Sequence, residues 1–122
     1  MARILVVDDE PHIRKLVAFS LRCRDHEIFE AEDGPRGIAL AQEEHPDLIL
    51  MDVMMPMMTG LQALELLKAD PATSDIPVAM LSAKSQEYEQ TAGLSRGAVK
   101  YVCKPFKPSE LGDMVAEILA NS

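Results

Sequence analysis

The chain has 122 residues, 48% of them apolar, and a formal net charge of −8; that is enough for one domain with one core and the wrong sign for holding nucleic acid by its phosphates. No Lys- or Arg-rich face offers itself to an anionic membrane, no apolar stretch approaches the ~20 residues of a bilayer span, and the residues ahead of Ile4 are too few for a signal peptide. Cys23 and Cys103 form no C-x-x-C and read as free thiols of a reducing cytosol, while His12, His26 and His45 lack metal-ligand spacing.

Arg3 to Val7 is a continuous apolar, β-branched run, the pattern of a strand buried on both faces. Pro11 opens a helix, where its missing N–H costs nothing. Ile13, Leu16, Val17 and Leu21 then recur at helical spacing to about Arg24. Glu27 to Ala31 reads as a short strand. Asp33-Gly34-Pro35 is a turn into a helix around Arg36 to Glu44, stopped by His45-Pro46. Leu48 to Met51 is a second fully apolar strand that ends at Asp52, and a loop covers Pro56 to Gly60. Leu61, Leu64 and Leu67 mark a helix that stops near Asp70-Pro71. Ile76 to Leu81 predicts a strand, Lys84 to Arg96 a helix with Gly97 as its C′ residue, and Ala98 to Val102 the last strand. Leu111, Met114, Val115, Ile118 and Leu119 give the cleanest amphipathic helix of all.

The pattern is β-α five times over, with no linker, repeat or low-complexity tract, and residues 1–122 are read as one domain. Helices between successive strands imply right-handed crossovers and a parallel sheet covered on both faces. The expected fold is a doubly wound, three-layer α/β (βα)5 sandwich; the chain is too short for a closed eightfold barrel.

In such sheets ligands bind beyond the carboxyl ends of the strands. There the first strand delivers Asp8, Asp9 and Glu10, the third Asp52, the fourth Ser82 and the fifth Lys104. Carboxylates about 4 Å apart repel by ~4 kcal/mol per pair at an effective dielectric of 20. Three pairs would cost about 12 kcal/mol, comparable with the stability of a whole domain. One lysine does not cancel that, so protons or a cation must, and hard oxygen ligands favour Mg²⁺. A divalent ion, a strand-end carboxylate, a lysine and a hydroxyl form a set suited to phosphoryl transfer, with the carboxylate as nucleophile and an aspartyl phosphate as product. Asp8 and Asp9 are adjacent and suit the metal. Asp52 stands alone on the middle strand and suits the nucleophile.

These residues resemble the receiver domain of bacterial two-component response regulators, the CheY-like superfamily. The matching motifs are Asp8-Asp9 after an apolar strand, D-x-x-M-P-x-M-x-G over Asp52 to Gly60, Ser82-Ala83, and Lys104-Pro105-Phe106, and together they span the chain. The resemblance implies a flavodoxin-like parallel sheet of five strands in order 2-1-3-4-5. It implies that Asp52 accepts phosphate from the phosphohistidine of a histidine kinase or phosphotransfer protein. It also implies Mg²⁺ (or Mn²⁺) held by Asp8, Asp9, Asp52 and the carbonyl of Met54, and a phosphoryl group bound by Ser82 and Lys104. Ser82 and Tyr101 would form the switch, and the Lys104–Pro105 bond would be cis. The implied protein is cytoplasmic and touches neither DNA nor membrane directly. It catalyses at most its own phosphorylation and dephosphorylation, and acts on a downstream target protein or an effector domain outside this chain.

Blander readings stand beside these. Asp8-Asp9-Glu10 could simply favour a helix N-terminus, Ser82 could cap the next helix, Tyr101 could be packing, and the methionines of residues 51–58 could be filler. A protein-interaction module that never receives phosphate would keep the same fold. A phosphatase of the dehalogenase type would need a second aspartate where Glu10 stands, and a cap. Two dynamic expectations follow from composition. The segment Lys84 to Arg96 is a weak helix fit for a switch. Met54, two residues past Asp52, cannot orient water by a strong hydrogen bond, so self-dephosphorylation should be slower than in a Met54→Asn variant.

Overall fold

The apolar runs pair into one sheet because a buried backbone can satisfy its N–H and C=O groups only with a neighbour. In the computed structural model, which describes residues 2–83, 97–104 and 106–121, five strands lie in the order β2-β1-β3-β4-β5, all parallel. They are β1 (Arg3–Val7), β2 (Glu27–Ala31), β3 (Leu48–Asp52), β4 (Val78–Ala83) and β5 (Lys100–Lys104). The helices are α1 (Pro11–Arg22), α2 (Gly34–Glu44), α3 (Gly60–Ala69) and α4 (Pro108–Ala120). The helix expected over Lys84 to Arg96 and the Lys104–Pro105 bond lie outside the described residues. The doubly wound architecture and the strand order are those expected.

Alternation along the strands builds two cores. Ile4, Val6, Leu48, Leu50, Ala79 and Leu81 face α1 and α4, where Val17, Leu21, Leu111 and Val115 close the layer. Leu5, Val7, Ile49, Met51, Val78 and Met80 face α2 and α3, and meet Ala41, Ala63, Leu64 and Leu67. The central strand β3 is buried at all five positions. Helix α2 comes so close to β1 that a Cβ at Gly37 would stand 2.8 Å from Cγ2 of Val7.

Several boundaries differ from expectation, each for a local reason. Strand β4 starts at Val78 and not Ile76. Ile76 is buried in the preceding turn, where its N–H donates to the Thr73 carbonyl. β5 shifts with it, from the expected Ala98–Val102 to Lys100–Lys104, since the register pairs Ala79 with Lys100 and Ala83 with Lys104. Apolar content marked the strands but their pairing set the ends, so Ser82 and Lys104 are strand residues. Helix α2 starts two residues early because the Asp33 side chain caps it, accepting from the Arg36 N–H at 2.8 Å. Helix α1 stops at Arg22. Gly97 has φ +109, in the left-handed region that favours glycine.

Candidate functional site

The parallel register brings the carboxyl ends of β1 and β3 side by side, with Val7 opposite Met51. The next residues are acidic. Asp8 is fully buried and Asp52 is 5% exposed. Each of Asp8, Asp9 and Asp52 offers a carboxylate oxygen, and these oxygens lie within 4.8 Å of one another. The expected convergence of acids from two strands is therefore present.

Lys104 reaches the cluster from β5. Its Nζ donates to Oδ2 of Asp8 and to Oδ1 of Asp52, both at 3.1 Å. One ammonium against three carboxylates leaves the site short of positive charge by two. At 4.8 Å and an effective dielectric of 20, each carboxylate pair still repels by about 3.5 kcal/mol. The strain falls on Asp52. Burial, followed by the charge of Asp8, pushes its carboxyl from 3.8 up to about 7, although Lys104 pulls the other way. On Lys104 burial alone would favour the neutral amine, but Asp52 and Asp8 outweigh it and hold the ammonium above its ordinary range.

Local structure fixes each acid. The Asp8 N–H donates to the Ala31 carbonyl, and its Oδ1 accepts from the Glu10 N–H at 2.9 Å. After Asp52 the chain turns, and the Gly60 N–H donates back to the Val53 carbonyl at 2.7 Å. Helix α3 starts hard against Asp52: a Cβ at Gly60 would overlap the Asp52 carbonyl oxygen and stand 2.8 Å from Cε of Met80. Thr59 caps that helix through a reciprocal box with Gln62. The turn needs a left-handed residue, Met57, at φ 71.

The other expected site residues fall around this centre. Ser82 lies fully buried in β4 opposite Cys103, one residue beyond the Asp52–Leu81 pair. Met54, in the loop after Asp52, exposes 56% of its surface. Tyr101 is half-buried and packs on the core layer of α2 and α3. Beside Lys104 opens a mostly apolar cavity of about 330 Å³, lined also by Ile13, Leu16 and Phe106. Two contributors were missed in the sequence. Thr59 carried a signal, a Ser/Thr cap three residues before Gln. Arg14, which bonds the Asp8 carbonyl at 2.8 Å, carried none, since a lone arginine on a helix reads as surface.

The oxygen-only donor set, two of whose three acids are nearly inaccessible to water, fits a hard divalent cation. Nothing in it is soft enough to select a thiophilic metal.

Comparison with known proteins gives a consistent family. The model of the response regulator receiver domain matches residues 4–116. The phosphate regulon transcriptional regulatory protein PhoB of Klebsiella pneumoniae is 47% identical over 109 residues, 89% of this chain and 48% of that protein. Protein PilH of Pseudomonas aeruginosa is 42% identical over 122 residues, 99% of this chain and all of that protein. The chain thus spans about half the length of PhoB and the whole of PilH. Among solved structures, the chemotaxis protein CheY4 of Vibrio cholerae superposes with a TM-score of 0.90 at 31% identity, covering 97% of this chain and 98% of that one.

Proposed function

The chain belongs to the response regulator receiver domain family, the phosphorylation-dependent switches of two-component signalling, and from that premise we propose that Asp52 is its phosphoacceptor. The observation that carries this reading is the Lys104 ammonium bridging Asp8 and Asp52 inside a three-carboxylate cluster. A carboxyl lifted to about 7 is a poor nucleophile while protonated. Positive charge at the cluster favours its ionised form.

Asp8, Asp9 and Asp52 would hold Mg²⁺ with the carbonyl of Met54, and the bound ion would supply charge to attract a donor phosphate and spread the charge of the transferring group. Asp52 forms a P–O bond as the bond from phosphorus to the donor breaks, and the donor leaves with that electron pair. Lys104 donates to an oxygen of the transferred group. Ser82 is buried before transfer; its hydroxyl would turn to a phosphoryl oxygen afterwards, and Tyr101 would follow into the space it leaves. The donor protein, a histidine kinase or a phosphotransfer protein, would lie over the apolar cavity beside Lys104. Output would pass to a target protein or to an effector domain joined to this one.

The test is incubation with acetyl phosphate, followed by intact mass. One phosphoryl group should be gained with Mg²⁺, none with EDTA, and none by Asp52→Asn in either condition. Equal labelling of Asp52→Asn and the parent would refute the assignment.

A further inference from the structure

Asp8 is held at each of its polar groups. Its N–H, both carboxylate oxygens and its carbonyl all have partners: Ala31, Glu10, Lys104 and Arg14. The last of these comes from a different layer. Arg14 stands one turn into α1, and its Nη1 donates to the Asp8 carbonyl at 2.8 Å while its Nε donates to Oε1 of Glu30 at 3.2 Å. Arg14 and Glu30 have side chains only 14% and 16% exposed. Glu30 is on β2, beside β1, opposite Val6. Lys15 and Arg22 also reach Glu30, at 3.0 and 3.4 Å. Burial would raise the Glu30 carboxyl, but Lys15, Arg14 and Arg22 outweigh it and keep it below its ordinary value.

A guanidinium so largely buried has two demands here. It needs a counter-charge, and its remaining N–H groups need acceptors. Glu30 supplies the first and the Asp8 carbonyl the second. The planar fork therefore ties the end of β1 to β2 and α1 at the residue whose carboxylate enters the acidic cluster. A carboxylate set before its ligand arrives binds it with less loss of freedom.

We infer that Arg14, oriented by Glu30, is a positioning residue for the cation site, fixing the Asp8 backbone so that its carboxylate is placed in advance. This rests on the reading above that Asp8 holds the cation. The two causes open to Arg14 act with opposite sign. As a mere positive charge near the cluster it repels Mg²⁺, and its loss tightens binding. As a fork it organises Asp8, and its loss weakens binding.

The test is titration calorimetry of Mg²⁺ alone into the parent, Asp8→Asn, Arg14→Met, Arg14→Lys and Glu30→Gln, with melting in EDTA for each. Both Arg14 variants should bind Mg²⁺ about tenfold more weakly, since lysine has a point of charge but no fork to span two acceptors. Glu30→Gln should also weaken binding, but loss of its negative charge acts in the same direction, so Arg14→Lys, which keeps the charge and loses only the fork, is the deciding variant where Arg14→Met fails to fold. Tighter binding by Arg14→Met, or unchanged binding in variants that only melt lower, overturns the inference. A parent that binds no Mg²⁺, or an Asp8→Asn variant that binds like the parent, overturns the cation reading beneath it.

Discussion

Asp52 carries the cost of its own position. Its carboxyl titrates near 7 in the folded protein, against 3.8 when freely solvated. A carboxyl raised by folding takes up its proton more tightly in the native state, so its ionisation destabilises the fold as pH rises from 3.8, most fully above about 7. Asp52→Asn removes that burden. In EDTA at about pH 8 the variant should be more stable than the parent by about 1–3 kcal/mol, read from urea melts, and the gap should narrow as pH falls toward 5. A gap that widens on acidification would contradict the assignment of the strain to Asp52. Met54 is exposed beside the site and lacks a strong hydrogen-bonding group. Decay of the phosphorylated parent should be several-fold slower than that of Met54→Asn; equal half-lives would remove Met54 from the hydrolytic path.

The elements place these residues through contacts that a sequence shows unevenly. β1 and β3 were legible because each is an unbroken apolar run, Ile4 to Val7 and Leu48 to Met51, that stops at an aspartate, and both end where expected. β4 and β5 were legible in kind and two residues out in place. Ile76 and Ala98 looked like strand but are buried outside it, and only the pairing of β4 with β5 fixes the register. The acids, Ser82 and Lys104 were legible because polar groups at strand ends break an apolar pattern. Arg14 was not, since its partners lie 6 and 16 residues away on other elements. Helix α3 offers an element-scale test. Its first residue touches the Asp52 carbonyl, so Gly60→Ala should force the helix from the site and cost about 2–4 kcal/mol by overpacking. Thr59→Ala removes only the cap and should cost about 1 kcal/mol. Equal melting of the two variants would place the contact elsewhere.

Across the molecule, two cores grip one sheet and leave its carboxyl edge to hold unbalanced charge. The overall charge of −8 points the same way: the protein attracts cations. A cation bound only by the folded state should raise stability by about 2.7 kcal/mol at a concentration one hundred times its Kd. Mg²⁺ should therefore raise the melting temperature of the parent, and leave that of Asp8→Asn nearly unmoved. The family supplies the switch, and its proposed parts are Asp8, Asp9, Asp52 and Lys104. That assignment stands or falls on which side chain carries the phosphate. After acetyl phosphate treatment in Mg²⁺, borohydride reduction converts an aspartyl phosphate to homoserine, which peptide mass spectrometry then locates. Homoserine is expected at Asp52 and at neither Asp8 nor Asp9; homoserine at Asp8 or Asp9 with Asp52 unchanged would overturn the assignment.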